Sequence, residues 1–407
     1  LTDRGMRVAA RTAYLVEGPA ADRAGLRAGM SATGGALPHH WHAAGFSGIA
    51  TRKALGSYLL ITSLIMLLLL ATAWAIDLAR NFDDVQAKAA ERGVGLYRIL
   101  APYLVYRAAD IITRLLPIAC FIGLFLAEIF RRQSLESVIL AAAGQSPLQG
   151  LAAVVAFGLI AGGVLTTLET WGRPAAGFSQ VELGVGQYAD RFRRGPNGGK
   201  HWFVTERDAM RAGVVSEDTP ELRNIELYRG FTSDGLEEIV VARRGVPAGE
   251  KRWRLEDAII CNGASGSSCA PAGKPVEVDF DLIPPQLTYL GIPAFYLPNQ
   301  ALSQLAEMRQ APNIADIDFA LWRRWTAILL PGAFALLGAS IAQIVWSGRV
   351  QSTWRITAAC FAGYLVINSI KVFASLGELG AMPAAAAALT PIGIALAGAA
   401  VIQRLRS

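Results

Sequence analysis

The stretch Ala54–Ile76, ALGSYLLITSLIMLLLLATAWAI, runs for 23 residues without a charged side chain. About 20 apolar residues cross a bilayer as a helix, and in hydrocarbon only a helix or a closed barrel satisfies its own backbone. The stretch therefore reads as a membrane span, and the whole chain agrees. Of its 407 residues 53% are hydrophobic and 17% charged, with a mean hydropathy of +0.36, where a soluble domain carries roughly 25% charge.

Three further runs are free of charge: residues 137–168, 325–348 and 379–403. Two more spans carry charge. Residues 106–129 hold Arg107, Asp110 and Arg114 before the clean run Leu115–Ala127, and residues 356–376 are interrupted by Lys371. None of these runs shows the alternating segments of about ten residues that mark a transmembrane barrel. Pro117 and Pro331 are placed to kink their spans.

Charge divides the chain in the same places. Residues 172–321 hold 16 Lys/Arg and 20 Asp/Glu, a balance of −4, while the remainder holds 22 and 12, a balance of +10. That split excludes a nucleic-acid binder with one basic domain and sets a soluble module, long enough for its own core, between two groups of three helices. The expected fold is a polytopic α-helical membrane protein with six transmembrane helices, 3+3, and an inserted all-β domain. Its expected divisions are a tail over 1–50, helices 1–3 over 51–172, the β domain over 173–320 and helices 4–6 over 321–407.

Orientation follows from the basic residues of the short connections. Arg52 and Lys53, Arg131 and Arg132, Arg349 and Arg355, and Arg404 and Arg406 mark every second connection, whereas residues 77–101 balance four basic side chains with four acidic ones. Both termini are expected in the cytoplasm and the insert in the periplasm. Cys120 and Cys360 lie in spans and read as small buried hydrophobes. Cys261 and Cys269, eight apart around a Gly/Ser-rich loop, are expected to pair as a disulfide, which suits that compartment; two free thiols are the alternative.

Within the insert Val276, Val278, Phe280 and Leu282 alternate with Glu277, Asp279 and Asp281, a period of two with one dry face. Similar runs at 201–206, 222–228, 238–243 and 253–260, separated by Gly/Pro/Asn clusters, predict an antiparallel sandwich or jelly roll. A short amphipathic helix over 302–309 leads back to the membrane. Residues 1–50, which include His39, His40 and His42, form a Gly/Ala/Arg-rich tail left out of the fold, and the three histidines, with no carboxylate or Cys beside them, read as loop.

Motifs for soluble catalysis fail. Gly184, Gly186 and Ala189 match a loose dinucleotide pattern outside any βαβ unit. Gly195, Gly199 and Lys200 fall one residue short of a phosphate loop, with His201 where Ser or Thr should hold magnesium. No cofactor is expected in the chain, and energy for work in the membrane must come from a partner or a gradient.

The connection RRQSLESVILAAAGQSP, Arg131–Pro147, is the most informative. Ser134 is suited to cap a helix start, Glu136 favours the first turn, and Gly144 followed by Pro147 ends it. Leu135, Val138, Ile139 and Ala142 share one face of a short amphipathic helix at about 134–144, suited to docking on a soluble motor or to lying on the bilayer surface.

The 3+3 layout with a β insert, together with Glu136, Gly144 and Ser146, resembles the LptF/LptG permease family of the lipopolysaccharide export transporter. So do TRKALGSYLL from Thr51, LLPIA at Leu115–Ala119 and LGELGAMPAAAAALTPIGIAL from Leu376. The chain departs from that pattern at Ser137, at Ala141 and at Leu389–Pro391, and stands nearer the LptG side. The resemblance implies a sibling permease, a dimer of an LptB-like cytoplasmic ATPase that holds ATP and magnesium, a single-span LptC-like protein and an LptA-like periplasmic bridge. By the same resemblance Glu136, Leu135, Val138, Ile139 and Gly144 form the ATPase-coupling helix, and spans 1 and 5 form the seams between chains where lipid enters.

Basic residues at the expected outer face point to an anionic lipid. Arg80, Arg107, Arg323, Arg324 and Lys371 lie where the positive-inside rule disfavours them, and Arg107, Asp110 and Arg114 share one helix face. Lipid phosphates would explain this excess, with Asp110 bridging two arginines, against simple snorkelling to the interface. A secondary transporter and a periplasmic sensor are the alternatives in other classes.

Overall fold

The computed structural model describes residues 48–142, 147–186, 199–205, 207–216, 220–232, 235–249, 251–262, 268–284, 287, 290, 292–308, 314–345 and 353–404. Residues 1–47 of the tail and Gly144 and Ser146 of the coupling motif lie outside the described residues, as do the side chains of Val138 and Arg355. Five described helices are long and apolar enough to cross a membrane, and a bent pair makes a sixth span.

The first two helices are longer than their spans. Helix α1, Ile49–Glu91, has 43 residues and α2, Leu96–Gln133, has 38. At 1.5 Å per residue α1 reaches about 64 Å, twice a hydrocarbon core of about 30 Å. Residues 77–101, expected as a connection, are thus two helical arms closed by a turn at Arg92–Gly95 in which Gly93 takes a φ of 63°. Asn81, Val85 and Ala89, spaced by four, face Ile99 and Tyr103 of α2, and Val85, Ala89, Ile99, Tyr103 and Val185 pack together. An apolar-length criterion overlooks these arms because they are amphipathic rather than uniformly apolar.

After α2 come α3, Glu136–Ala142, and α4, Pro147–Thr167. A π-helical turn, Leu168–Gly172, joins α4 to α5, Arg173–Leu183, so the third span does not stop near 172. Gly184 closes α5 in the left-handed conformation, its N–H bonded to the Gln180 carbonyl.

The insert contributes β1 (His201–Val204), β2 (Ala209–Ser216), β3 (Pro220–Thr232), β4 (Gly235–Pro247), β5 (Arg252–Glu256), β6 (Ile259–Asn262), β7 (Cys269–Pro271) and β8 (Val276–Asp279). Every pairing is antiparallel, in the order β1-β2-β3-β4-β5-β8, with β6 also on β4 and β7 on β6. The sheet divides at β4, where residues 238–241 pair with β6 and 244–247 with β5. Its inward residues, among them Met210, Leu222, Ile225, Leu227, Trp253 and Val278, converge on one core. The indole of Trp253 is fully buried and donates to the Leu282 carbonyl at 2.8 Å.

Two strand boundaries differ from the sequence pattern. The run 253–260 is two strands, broken where Asp257 takes a φ of 54°. Strand β2 was hidden because Ala and Gly interrupt AMRAGVVS and blunt its alternation.

A 3₁₀ turn, Ala294–Tyr296, and helix α6, Asn299–Met308, lead back to the bundle. The fourth span, expected over 325–348 with a kink at Pro331, begins earlier and is broken. It consists of α7, Ile314–Thr326, and α8, Leu330–Val345, bent by 59°. Pro331 explains the break, because proline is tolerated in a first turn and disfavours helical backbone before it; Pro117, by contrast, lies inside an unbroken α2. Helices α9, Thr353–Glu378, and α10, Ala384–Arg404, complete the described chain.

Candidate functional site: an ion-pair junction and a basic cleft

Asp110 of α2 sits at a junction of elements. It is 5% exposed, and three arginines reach it: Arg173 at 2.8 Å, Arg114 at 3.1 Å and Arg107 at 3.7 Å. The expected bridge between Arg107 and Arg114 is present, yet the closest ion-pair partner is Arg173, the first residue of α5. Arg173 is itself 2% exposed and pairs with Glu169 at 3.3 Å. Glu169, on the π turn, also accepts from Arg323 of α7 at 2.7 Å. Two carboxylates and the arginines around them, drawn from α2, the π turn, α5 and α7, thus satisfy one another, as buried charges must.

The return segment of the β domain is fastened to this junction. The Arg173 guanidinium lies 4.3 Å from the centre of the Phe295 ring and 5.2 Å from that of Tyr296. The Tyr296 hydroxyl donates to Asp110 at 3.2 Å. Arg324 donates to the Leu297 carbonyl and to the Asn299 carboxamide oxygen.

In front of the junction opens a cleft of about 380 Å³ bounded by α2, the π turn, α7, α9 and α10. Arg114, Arg323 and Lys371 line it together with one carboxylate, Glu378, with Glu169 and Arg173 behind and Pro117, Leu330 and Ile370 among its apolar walls. The Arg114 side chain is half-exposed, and Lys371 is exposed without an ion pair among the described residues. Cationic groups over apolar wall suit an anionic amphiphile.

The six basic residues singled out in the sequence therefore separate. Arg114, Arg323 and Lys371 meet at the cleft. Arg107 turns to Asp77 of α1, with Nε 3.0 Å from the carboxylate, and Arg324 is buried at 7% against the return segment, so neither lines the cleft and Arg324 cannot offer its charge to lipid. Arg80 is exposed on the extended arm of α1, also outside the cleft. The sequence reading missed Arg173 and Glu169. Their spacing of four, next to the end of a long apolar run, was the available signal.

At the other end of α2, the loop motif takes a different shape from the one expected. Ser134 does not open α3; it is the C-cap of α2, and its hydroxyl donates to the Arg131 carbonyl at 3.1 Å. Leu135 turns the chain with a φ of 59°, and its carbonyl accepts the Ile139 N–H at 3.0 Å. Glu136 opens α3 and lies 3.4 Å from Lys53 of α1. Leu135 and Ile139 are 60% and 65% exposed, a bare apolar face. Beneath them Arg131 donates to the Tyr58 hydroxyl at 2.7 Å and to Glu128 at 2.8 Å, tying α2 to α1. In the β domain Cys261 and Cys269 stand opposite each other on β6 and β7 and are disulfide-bonded.

Helices of this length and apolarity, with an antiparallel domain inserted midway, define a polytopic integral membrane protein. The chain belongs to the LptF/LptG family: the family model described as lipopolysaccharide export system permease LptF/LptG matches residues 52–405. No curated protein matches it. Members of this family are permease subunits of the inner membrane rather than enzymes.

Proposed function

We propose that the chain is the transmembrane permease subunit of an ATP-driven exporter that extracts lipopolysaccharide from the outer leaflet of the inner membrane and passes it through the β domain to a periplasmic bridge. The observation that carries this reading is the reach of the family match, from residue 52 to 405, across both helix sets and the insert. In this reading the termini and α3 are cytoplasmic and the β domain is periplasmic. An LptB-like ATPase dimer docks on α3 through Leu135, Val138 and Ile139, with Glu136 receiving the stroke. The partner list is completed by a sibling permease, LptF or LptG, an LptC-like single-span protein and an LptA-like bridge.

The packing of the helices supports a heteromeric machine. The apolar windows of α1 and α9 are only 6% buried, against 61% for α2, so these two helices are the ones left bare for a sibling chain or lipid. Leu60, Leu64, Leu67 and Leu68 are exposed on α1, and Phe361, Tyr364, Leu365 and Val372 on α9. Arg114, Arg323 and Lys371 are offered as contacts for the lipid phosphates.

The test is purification of the full chain in detergent from its native membrane, with mass spectrometry of what accompanies it. A soluble ATPase, a second permease and a phosphorylated glycolipid arriving together support the reading. A chain that arrives alone favours a secondary transporter and overturns it.

A further inference from the structure

Arg323 and Arg114 share an arrangement that a purely structural ion pair does not require. Each lines the cleft while its guanidinium donates to a buried carboxylate, Arg323 to Glu169 and Arg114 to Asp110. Glu169 is held between two guanidiniums, those of Arg323 and Arg173. A pair of guanidiniums around one anion is also how proteins grip a phosphate. Lys371 faces the same space from α9 without an ion pair among the described residues.

We propose that Glu169 is a built-in stand-in for the ligand's phosphate: it occupies the Arg323 guanidinium while the cleft is empty and yields it when the phosphate of an anionic lipid enters against Arg114, Arg323 and Lys371. The proposal rests on the reading that the cargo is a phosphorylated glycolipid. A charge withdrawn from water without a partner is costly; Arg323 is partly and Glu169 fully withdrawn, and their pairing removes that cost in the empty state. Two consequences follow from the geometry. The carboxylate competes with the ligand for Arg323, so the cleft releases its lipid more readily than it would with that guanidinium unopposed. Loading also leaves Glu169 to Arg173 alone, and Arg173 is the residue stacked on Phe295 and Tyr296 of the β-domain return segment, so occupancy is felt at the base of that domain.

The sign of one substitution separates this role from mere support. If Glu169 is only a structural partner, Glu169→Gln weakens binding or leaves it unchanged; if it is a competitor, the same change tightens it. The full chain in detergent is titrated with bis-phosphorylated lipid A, with the same lipid dephosphorylated, and with inorganic phosphate. Glu169→Gln is expected to bind lipid A roughly tenfold more tightly than the natural chain, and the double variant Arg114→Gln/Lys371→Gln several-fold more weakly. Glu169→Asp, which keeps the charge on a shorter arm, is expected between the natural chain and Glu169→Gln, and it serves as the readout if Glu169→Gln does not fold.

Unchanged or weaker binding of lipid A by both Glu169 variants, with the natural chain still preferring the phosphorylated lipid, overturns the stand-in role alone. A natural chain that does not distinguish phosphorylated from dephosphorylated lipid overturns the anionic-cargo reading beneath it. Tightening seen for inorganic phosphate but not for lipid A assigns the site to a free anion and overturns the lipid assignment.

Discussion

Gly162 of α4 lies directly against the carbonyl of Ile328, the residue at the centre of the break in the fourth span. A Cβ on Gly162 would stand 2.0 Å from that oxygen. Four residues earlier Gly158 meets Gly332 in the same way, and a Cβ on Gly158 would stand 2.7 Å from the Gly332 Cα. Small residues let membrane helices approach backbone to backbone, and here they seat the bend between α7 and α8 on α4.

Gly162→Ala is therefore expected to destabilise the chain by about 1–3 kcal/mol, the usual range for forcing volume into a packed interior. Its neighbour Gly163 has nothing within 4 Å of a Cβ, and Gly163→Ala should be neutral or slightly stabilising through helix propensity. Thermal unfolding of both variants in detergent checks the contrast; equal losses would mean that the close approach to Ile328 does not matter.

Arg173→Ala removes the cation shared by Asp110 and Glu169 and leaves buried carboxylates short of compensation. The expected cost is about 3–5 kcal/mol. Arg173→Lys restores a charge but not the planar fork or the stacking on Phe295, and should recover only part of it. Denaturation curves of the two variants decide this, and an Arg173→Ala chain as stable as the natural one would remove the junction from any account of the fold.

At α3, Leu135 holds a left-handed backbone that costs a non-glycine residue about 1–2 kcal/mol. Its exposed side chain offsets little of that within the chain. Leu135→Gly should preserve or raise stability while weakening ATPase docking through the lost apolar contact, whereas Leu135→Val should lower stability because a branched Cβ fits that conformation poorly. Glu136→Ala is expected to abolish lipid-stimulated ATP hydrolysis in the reconstituted complex, and unchanged hydrolysis would end its coupling role.

Acid should loosen the β domain. A hydrogen bond from Arg244 holds the Glu221 carboxyl below its ordinary range, and one from Lys200 does the same for Glu226. A carboxyl depressed in the folded state is protonated sooner when the chain unfolds, so its contribution is complete above the ordinary carboxylate range and fades as pH falls through and below it. Unfolding temperature should drop from about pH 5 downward, and Glu226→Gln should make that drop shallower. A curve that is equally steep in the variant would show that this pair does not sense acid.

The membrane spans were legible in the sequence because lipid imposes a length and an absence of charge that few other environments demand. Ala54–Ile76 and residues 379–403 need no tertiary partner to be recognised. The alternation of Val276–Leu282 was equally local, since a period of two follows from the geometry of a strand. The arms of α1 and α2 past residue 77 escaped the apolar criterion because their stability comes from packing Val85 and Ala89 on Ile99 and Tyr103. Strand β2 escaped because small residues carry little hydrophobic contrast.

Composition and periodicity along single stretches were enough to establish the class of protein, the two helix sets and the inserted β domain. Which charges are available was settled by packing alone. Arg114, Arg323 and Lys371 look no different in sequence from Arg107 and Arg324, yet the first three line one cleft, two of them while paired with Asp110 and Glu169, and the others are turned away from it to Asp77 and the Leu297 carbonyl. Where a charge points is decided by what lies within a few ångströms of it, and those neighbours come from residues 30, 154 or 182 positions away, a distance over which no local pattern carries information.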